Sequence, residues 1–171
     1  MKTRTLCLLA ALATGGCAST PATPPKAEAQ LKPTLGSSVT GTATFIEEDK
    51  QLRVRAAVIG LSPGKHGFHI HEKGDCSAPD ATSAGGHFNP SGNAHGAPDG
   101  SPHHNGDLGN LTADAEGKAT LDVLVSDLTV KPGPNSVVGR GLIVHADPDD
   151  LKTQPTGNSG KRVACAVITA S

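Results

Sequence analysis

Eight histidines stand among the 171 residues of this chain, and their spacing is its first chemical signal. His69 and His71 are one residue apart in Gly67-Phe68-His69-Ile70-His71. On a strand, side chains at i and i+2 leave the same face about 6–7 Å apart, so both imidazoles can reach one metal ion. Downstream come His87, His95, His103, His104 and Asp107, and His145 closes the run Leu142-Ile143-Val144-His145. A solitary buried histidine is ordinarily a hydrogen-bonded core residue. Six or more around one irregular stretch, with a carboxylate, call for another explanation. Neutral imidazole is the commonest transition-metal ligand, and a nitrogen-rich donor set without thiolate suits zinc, copper, iron or nickel. These residues alone imply one or two histidine-rich metal sites.

The elements that must carry them read as strands. Val39, Gly41, Ala43 and Phe45 alternate with Thr40, Thr42 and Thr44, and Leu52, Val54, Ala56 and Val58 alternate with Arg53, Arg55 and Ala57. Period-two alternation bounded by turn residues predicts strand–turn–strand. Shorter runs follow at Gly67–His71, Gly106–Thr112, Ala119–Val125, Arg140–His145 and Arg162–Ile168. No stretch has helical spacing, so the expected fold is all-β, an antiparallel sandwich or barrel of about eight strands. Glu72–Asn105 and Ala146–Lys161 break the rhythm. Long loops in a compact domain are usually functional, and the first holds four of the eight histidines.

Composition narrows the function. There is no Trp or Tyr, only Phe45, Phe68 and Phe88 among aromatics, and the formal net charge is −1. Single-strand nucleic-acid binding needs aromatic stacking platforms and a basic surface; both are missing.

The N-terminus reads as an export signal: Lys2 and Arg4, an apolar run from Leu6 to Ala13, then Thr14-Gly15-Gly16-Cys17. The run is too short to span a membrane. Small residues ending on Cys17 resemble the bacterial lipobox, which implies a lipidated Cys17, although Thr14 stands where that motif usually has Leu. The expected division is a signal at 1–16, a Pro/Ala/Thr-rich tether with the lipid-attachment cysteine at 17–34, and a folded domain at 35–171. Cys76 and Cys165 remain after export. They invite a disulfide; a zinc site using both is the competing reading, weakened because neither has a neighbouring cysteine.

Five blocks, in order, resemble the copper/zinc superoxide dismutases. They are Gly67-Phe68-His69-Ile70-His71, Gly86-His87-Phe88-Asn89-Pro90 with His95-Gly96, His104-Asn105-Gly106-Asp107-Leu108-Gly109-Asn110, Gly139-Arg140 with Val144-His145, and Gly157-Asn158-Ser159-Gly160-Lys161-Arg162-Val163-Ala164-Cys165. The resemblance implies a Greek-key β-sandwich and the disproportionation of superoxide to dioxygen and hydrogen peroxide. It implies one copper on His69, His71, His87 and His145, and one zinc on His87, His95, His104 and Asp107. His87 would bridge the two ions and, released from copper on reduction, carry a proton to the departing peroxide. It also implies that Asp149 orients His69 and His95, with neighbouring Asp150 as the alternative, that Cys76 and Cys165 pair, and that His66 is structural. His103 is expected to point away from the metals. Cys76 follows His71 by five residues, as in bacterial members, which pair differently from eukaryotic ones or stay monomeric; a homodimer or a monomer is therefore expected.

A metal buffer would need the same ligands but no cation beside the copper, so Arg162 favours an enzyme. From Leu35 onward there are 11 Lys+Arg against 15 Asp+Glu. A negative domain that captures a negative substrate needs a local positive funnel, for which Arg162, Lys161 and Lys152 are the candidates. The expected setting is the cell envelope or periplasm, protecting it from external superoxide, with membrane contact only through the lipid.

Overall fold

The computed structural model describes residues 23–171. The expected signal and Cys17 lie outside them. The alternating segments form β2 (Thr40–Glu48), β3 (Gln51–Ile59), β4 (Gly64–His71), β5 (Asp107–Ala113), β6 (Ala119–Val125), β7 (Gly141–His145) and β8 (Arg162–Val167), preceded by β1 (Lys26–Pro33) and followed by the short β9 (Thr169–Ala170). Among the described residues the one helical element is a single 3-10 turn, Thr82–Ala84, and no helix is long and apolar enough to cross a membrane.

β1 corrects the expected boundary. Residues 26–33 are not tether but a strand at the centre of the sheet order. Ala27, Ala29 and Leu31 point inward and are buried, while Lys26, Glu28, Gln30 and Lys32 alternate outward. Two of the three inward positions are alanines, so the period-two signal is muted inside a Pro/Ala-rich stretch.

The strands run β5-β4-β7-β8-β1-β2-β3-β6, all paired antiparallel. β1 joins the two halves: Lys26–Leu31 pair with β2, and Lys32 and Pro33 pair with β8. The result is a nearly closed Greek-key barrel, open between β5 and β6. Its interior is aliphatic around the three phenylalanines, with Leu52, Val54 and Val58 of β3 facing Ile70, Leu111, Leu142 and Val144. The even face of β4 and β7 thus belongs to the core. Their odd face, carrying His69, His71, Ile143 and His145, points out of the barrel and is buried only because the two long loops cover it.

Candidate metal centre

Two breaks in strand register aim the remaining side chains onto that outer face. In β4–β5, Gly67 pairs with Asn110 but His69 pairs with Asp107, so β5 carries an extra residue. Gly109, at φ 79°, takes the left-handed conformation there, which glycine adopts at little cost. In β7–β8, Val144 pairs with Ala164 but His145 pairs with Arg162. The extra residue on β8 turns Arg162 to the side of His145. The long loop then adds His87 by zipping onto the end of β4. His71 and His87 form a bridge, Phe88 donates to the Ile70 carbonyl at 2.8 Å, and Gly106 donates to that of Phe88 at 2.8 Å. A Cβ on Gly106 would lie 2.3 Å from the Ile70 oxygen, so only glycine fits this closure.

The centre so built has two donor groups that share His87. His69, His71, His87 and His145 form one; His87, His95, His104 and Asp107 form the other, with ligand atoms within 4.8 Å of one another in each. All seven side chains are buried. Their hydrogen bonds fix which ring nitrogen is free. His71 Nδ1 donates to the Gly85 carbonyl at 2.9 Å and His145 Nδ1 to that of Gly160 at 3.3 Å. His69 Nε2 and His95 Nε2 donate to the two oxygens of Asp149 at 2.7 and 2.9 Å. What remains is His69 Nδ1, His71 Nε2, His87 Nε2, His145 Nε2 and His95 Nδ1, all buried and without a hydrogen-bond partner among the described residues, His95 Nδ1 lying close to Asp107 but not aligned for a hydrogen bond. A buried nitrogen with no partner is costly, and here five sit together. The first four are a four-nitrogen set of the kind Cu(II) takes, and three imidazoles with a carboxylate suit tetrahedral zinc. In the second group, Asp107 lies 2.8 Å from His87 Nδ1, 3.0 Å from His95 Nδ1 and 3.5 Å from His104 Nδ1. The donor set fits both ions.

Asp149 is the aspartate that the sequence expectation preferred, and it reaches both groups. Its own main chain is held in both directions by Asn110, whose Oδ1 accepts from the Asp149 amide at 2.8 Å and whose Nδ2 donates to its carbonyl at 3.0 Å. Asp150 is exposed and caps a turn instead. Thr153 side-chain and amide hydrogen bonds draw its carboxyl down to about 2.

Arg162 is half-buried. Its Nη1 and Nη2 each donate at 2.6 Å, to the carbonyls of Ala81 and Gly85. Those carbonyls belong to the loop segment that the Cys76–Cys165 disulfide, with Cα atoms 5.9 Å apart, fastens to β8. Lys152 and Lys161 are exposed.

Burial disfavours the imidazolium form of His69, His71, His104 and His145. It pushes the pKa values of His69 and His71 well below the usual histidine range, lowers that of His104, and brings that of His145 to about 4. Burial alone would raise that of Asp107. The hydrogen bond and charge of His87, with the amides of Gly96 and His104, outweigh this and hold it below the usual carboxylate range. Those four histidines are therefore pre-set as neutral imidazoles, and Asp107 as a carboxylate, the states a metal requires.

His66 is the buried structural histidine expected, lying 3.0 Å from the His145 carbonyl and 2.8 Å from that of Ser62. His103 turns back, its Nδ1 donating to the His104 carbonyl at 2.8 Å. Sequence reasoning missed the register breaks and the Asn110 clamp. Gly109 inside a strand pattern was the available signal for the first.

The comparisons agree with this geometry. The profile described as copper/zinc superoxide dismutase (SODC) matches residues 39–168. A superoxide dismutase [Cu-Zn] from Paramecium bursaria Chlorella virus 1 is 45% identical over 141 residues, 78% of this chain and 74% of its own. The chain belongs to the copper/zinc superoxide dismutase family. A solved structure titled as the clock protein EA4 superposes with a TM-score of 0.77 at 37% identity, covering 88% of this chain and 98% of that one. Membership brings copper and zinc as cofactors and superoxide dismutation as the activity, and the two histidine groups supply a place for each ion.

Proposed function

We propose that this chain disproportionates superoxide to dioxygen and hydrogen peroxide as an exported, lipid-anchored enzyme that protects the cell envelope. The observation that carries the activity is the set of five buried, unpartnered imidazole nitrogens converging on two adjoining positions. His69 Nδ1, His71 Nε2, His87 Nε2 and His145 Nε2 would hold copper; the Nδ1 atoms of His87, His95 and His104, with Asp107, would hold zinc. Copper, when bound, supplies the one-electron redox chemistry. The residues supply the rest. Arg162 offers a cation to the incoming anion, and its two carbonyl contacts keep the guanidinium aimed. His87 Nε2 takes and returns a proton while its Nδ1 stays anchored on the Asp107 side, 2.8 Å away. Over one cycle of two half-reactions, one superoxide is oxidised to dioxygen and a second, with two protons, is reduced to hydrogen peroxide. Superoxide decay with purified, metal-analysed protein tests this. A chain carrying one copper and one zinc that does not accelerate decay beyond free buffer would overturn it.

Export and anchoring are supported by the basic, apolar and small-residue order before Cys17. The expected result is that Cys17→Ala moves the protein from the membrane fraction to a soluble one at unchanged activity. A wild-type protein that is soluble and begins at a residue other than Cys17 would overturn the anchor.

A further inference from the structure

We infer that Gln154 is a positioning residue for the zinc side of the centre: its amide fixes the main chain of His95 and so the direction of His95 Nδ1. This rests on the reading of the second donor group as the zinc site. His95 is buried in irregular backbone, where neither its amide nor its carbonyl has a backbone partner among the described residues. Buried main-chain groups must be satisfied somewhere. One side chain satisfies both. Gln154 Oε1 accepts from the His95 amide at 2.8 Å, and Gln154 Nε2 donates to the His95 carbonyl at 2.9 Å. The second Nε2 hydrogen goes to the Lys152 carbonyl at 3.1 Å, so the amide is anchored in its own loop and cannot swing freely.

The consequence follows from where the grip is applied. The 146–161 loop holds His95 twice, its imidazole through Asp149 and its main chain through Gln154. The next residue is held from the zinc side, since the Gly96 amide donates to Asp107 Oδ2 at 3.1 Å. His95 therefore cannot turn its Nδ1 away from Asp107 unless that loop lifts. Loss of His95 is a route by which zinc would leave, and Gln154 closes it. The chemistry requires this residue type. Glutamate keeps the acceptor but sets a carboxylate against two carbonyls, and asparagine is one methylene too short to reach from the same backbone. Gln154 is itself exposed, so its substitution should leave the barrel folded.

The test is zinc release from the two-metal protein to a coloured chelator, with copper followed by its visible spectrum. Gln154→Ala should release zinc about tenfold faster, at the lower end of what outer partners of metal ligands contribute, with copper retained and the melting of the metal-free chain unchanged. Gln154→Glu should release it at least as fast. Thr153→Ala, which alters the same loop at a side chain bonded to Asp150 rather than His95, should release at the wild-type rate. Wild-type release from both Gln154 variants, or equal acceleration in Thr153→Ala, would overturn the assignment. A wild-type chain that holds no zinc would overturn the zinc site along with it.

Discussion

His71 and Arg162 donate to the same oxygen. The Gly85 carbonyl accepts His71 Nδ1 at 2.9 Å and Arg162 Nη2 at 2.6 Å, so one loop residue sets the tautomer of a proposed copper ligand and the aim of the neighbouring cation. Among the described residues Arg162 makes no ion pair within 4.0 Å. Its two hydrogen bonds go to neutral carbonyls, so its charge is not neutralised and stays available to an anion.

Substrate capture should therefore depend on Arg162. Arg162→Ile should lower the second-order rate of superoxide decay at least several-fold with metal content unchanged, and Arg162→Glu should lower it further. Added salt should slow wild type by screening attraction and slow the Glu variant less, or speed it. Stopped-flow decay across a salt series measures both. Identical rates and salt slopes in the three proteins would remove Arg162 from capture.

Reduction of Cys76–Cys165 should act on the same carbonyls. The bridge closes a loop with sequence separation 89, worth roughly 4–5 kcal/mol by chain entropy. The 3-10 turn beside it presents Ala81 and Gly85 to Arg162. Mild reduction should lower both melting temperature and rate while copper and zinc stay bound. A reduced protein at full rate would show that the turn holds its place unaided.

The ligands were legible because imidazole spacing and strand alternation are local signals. His69 and His71 had to share a face once Phe68 and Ile70 turned inward. What was not legible depends on partners far along the chain. A strand pattern cannot say that β8 gains a residue opposite β7, yet that bulge alone brings Arg162 beside His145. β1 was missed for a different reason: alanine buries too little surface to mark a face by itself, and its pairing with β2 and β8 decides the matter.

His87→Ala should disturb both metals. Its Nε2 belongs to one donor group and its Nδ1 lies 2.8 Å from Asp107 in the other. Copper and zinc contents and the copper spectrum should all change. An empty copper site beside an untouched zinc site would remove the bridge.

Asp149→Asn should damage the copper side more than the zinc side. The two Asp149 oxygens accept from His69 Nε2 and His95 Nε2, and Oδ1 also accepts from the Leu151 amide at 2.7 Å. Asparagine keeps one acceptor oxygen, and the pair of donors at Oδ1 claims it. Its amide group then faces the Nε2 proton of His69, donor against donor. His69 must move that proton to Nδ1 and lose its free lone pair. Copper affinity should fall about 10–100-fold, as for other partners of ligating histidines, with a smaller change for zinc. Competition with chelators of known affinity measures both, and equal losses would contradict this orientation of the amide.

Acid should unfold the metal-free chain before it titrates its carboxylates. His69, His71, His104 and His145 all have folded pKa values below the ordinary 6.5, that of His145 about 4, chiefly because burial penalises the charged ring. The unfolded chain binds those protons first. Each such histidine stabilises the unfolded state as pH falls below about 6.5, with a slope of about 1.4 kcal/mol per pH unit while it is protonated only when unfolded. Stability should thus be level above pH 7 and fall steeply between about 6.5 and 4. Asp107, with its lowered carboxyl pKa, contributes a further loss only at lower pH. Urea midpoints of the stripped protein across this range check the sign. Substituting His71 by Gln, which cannot take up the proton, should flatten the slope, and an unchanged slope would mean that the imidazole is already charged in the folded chain.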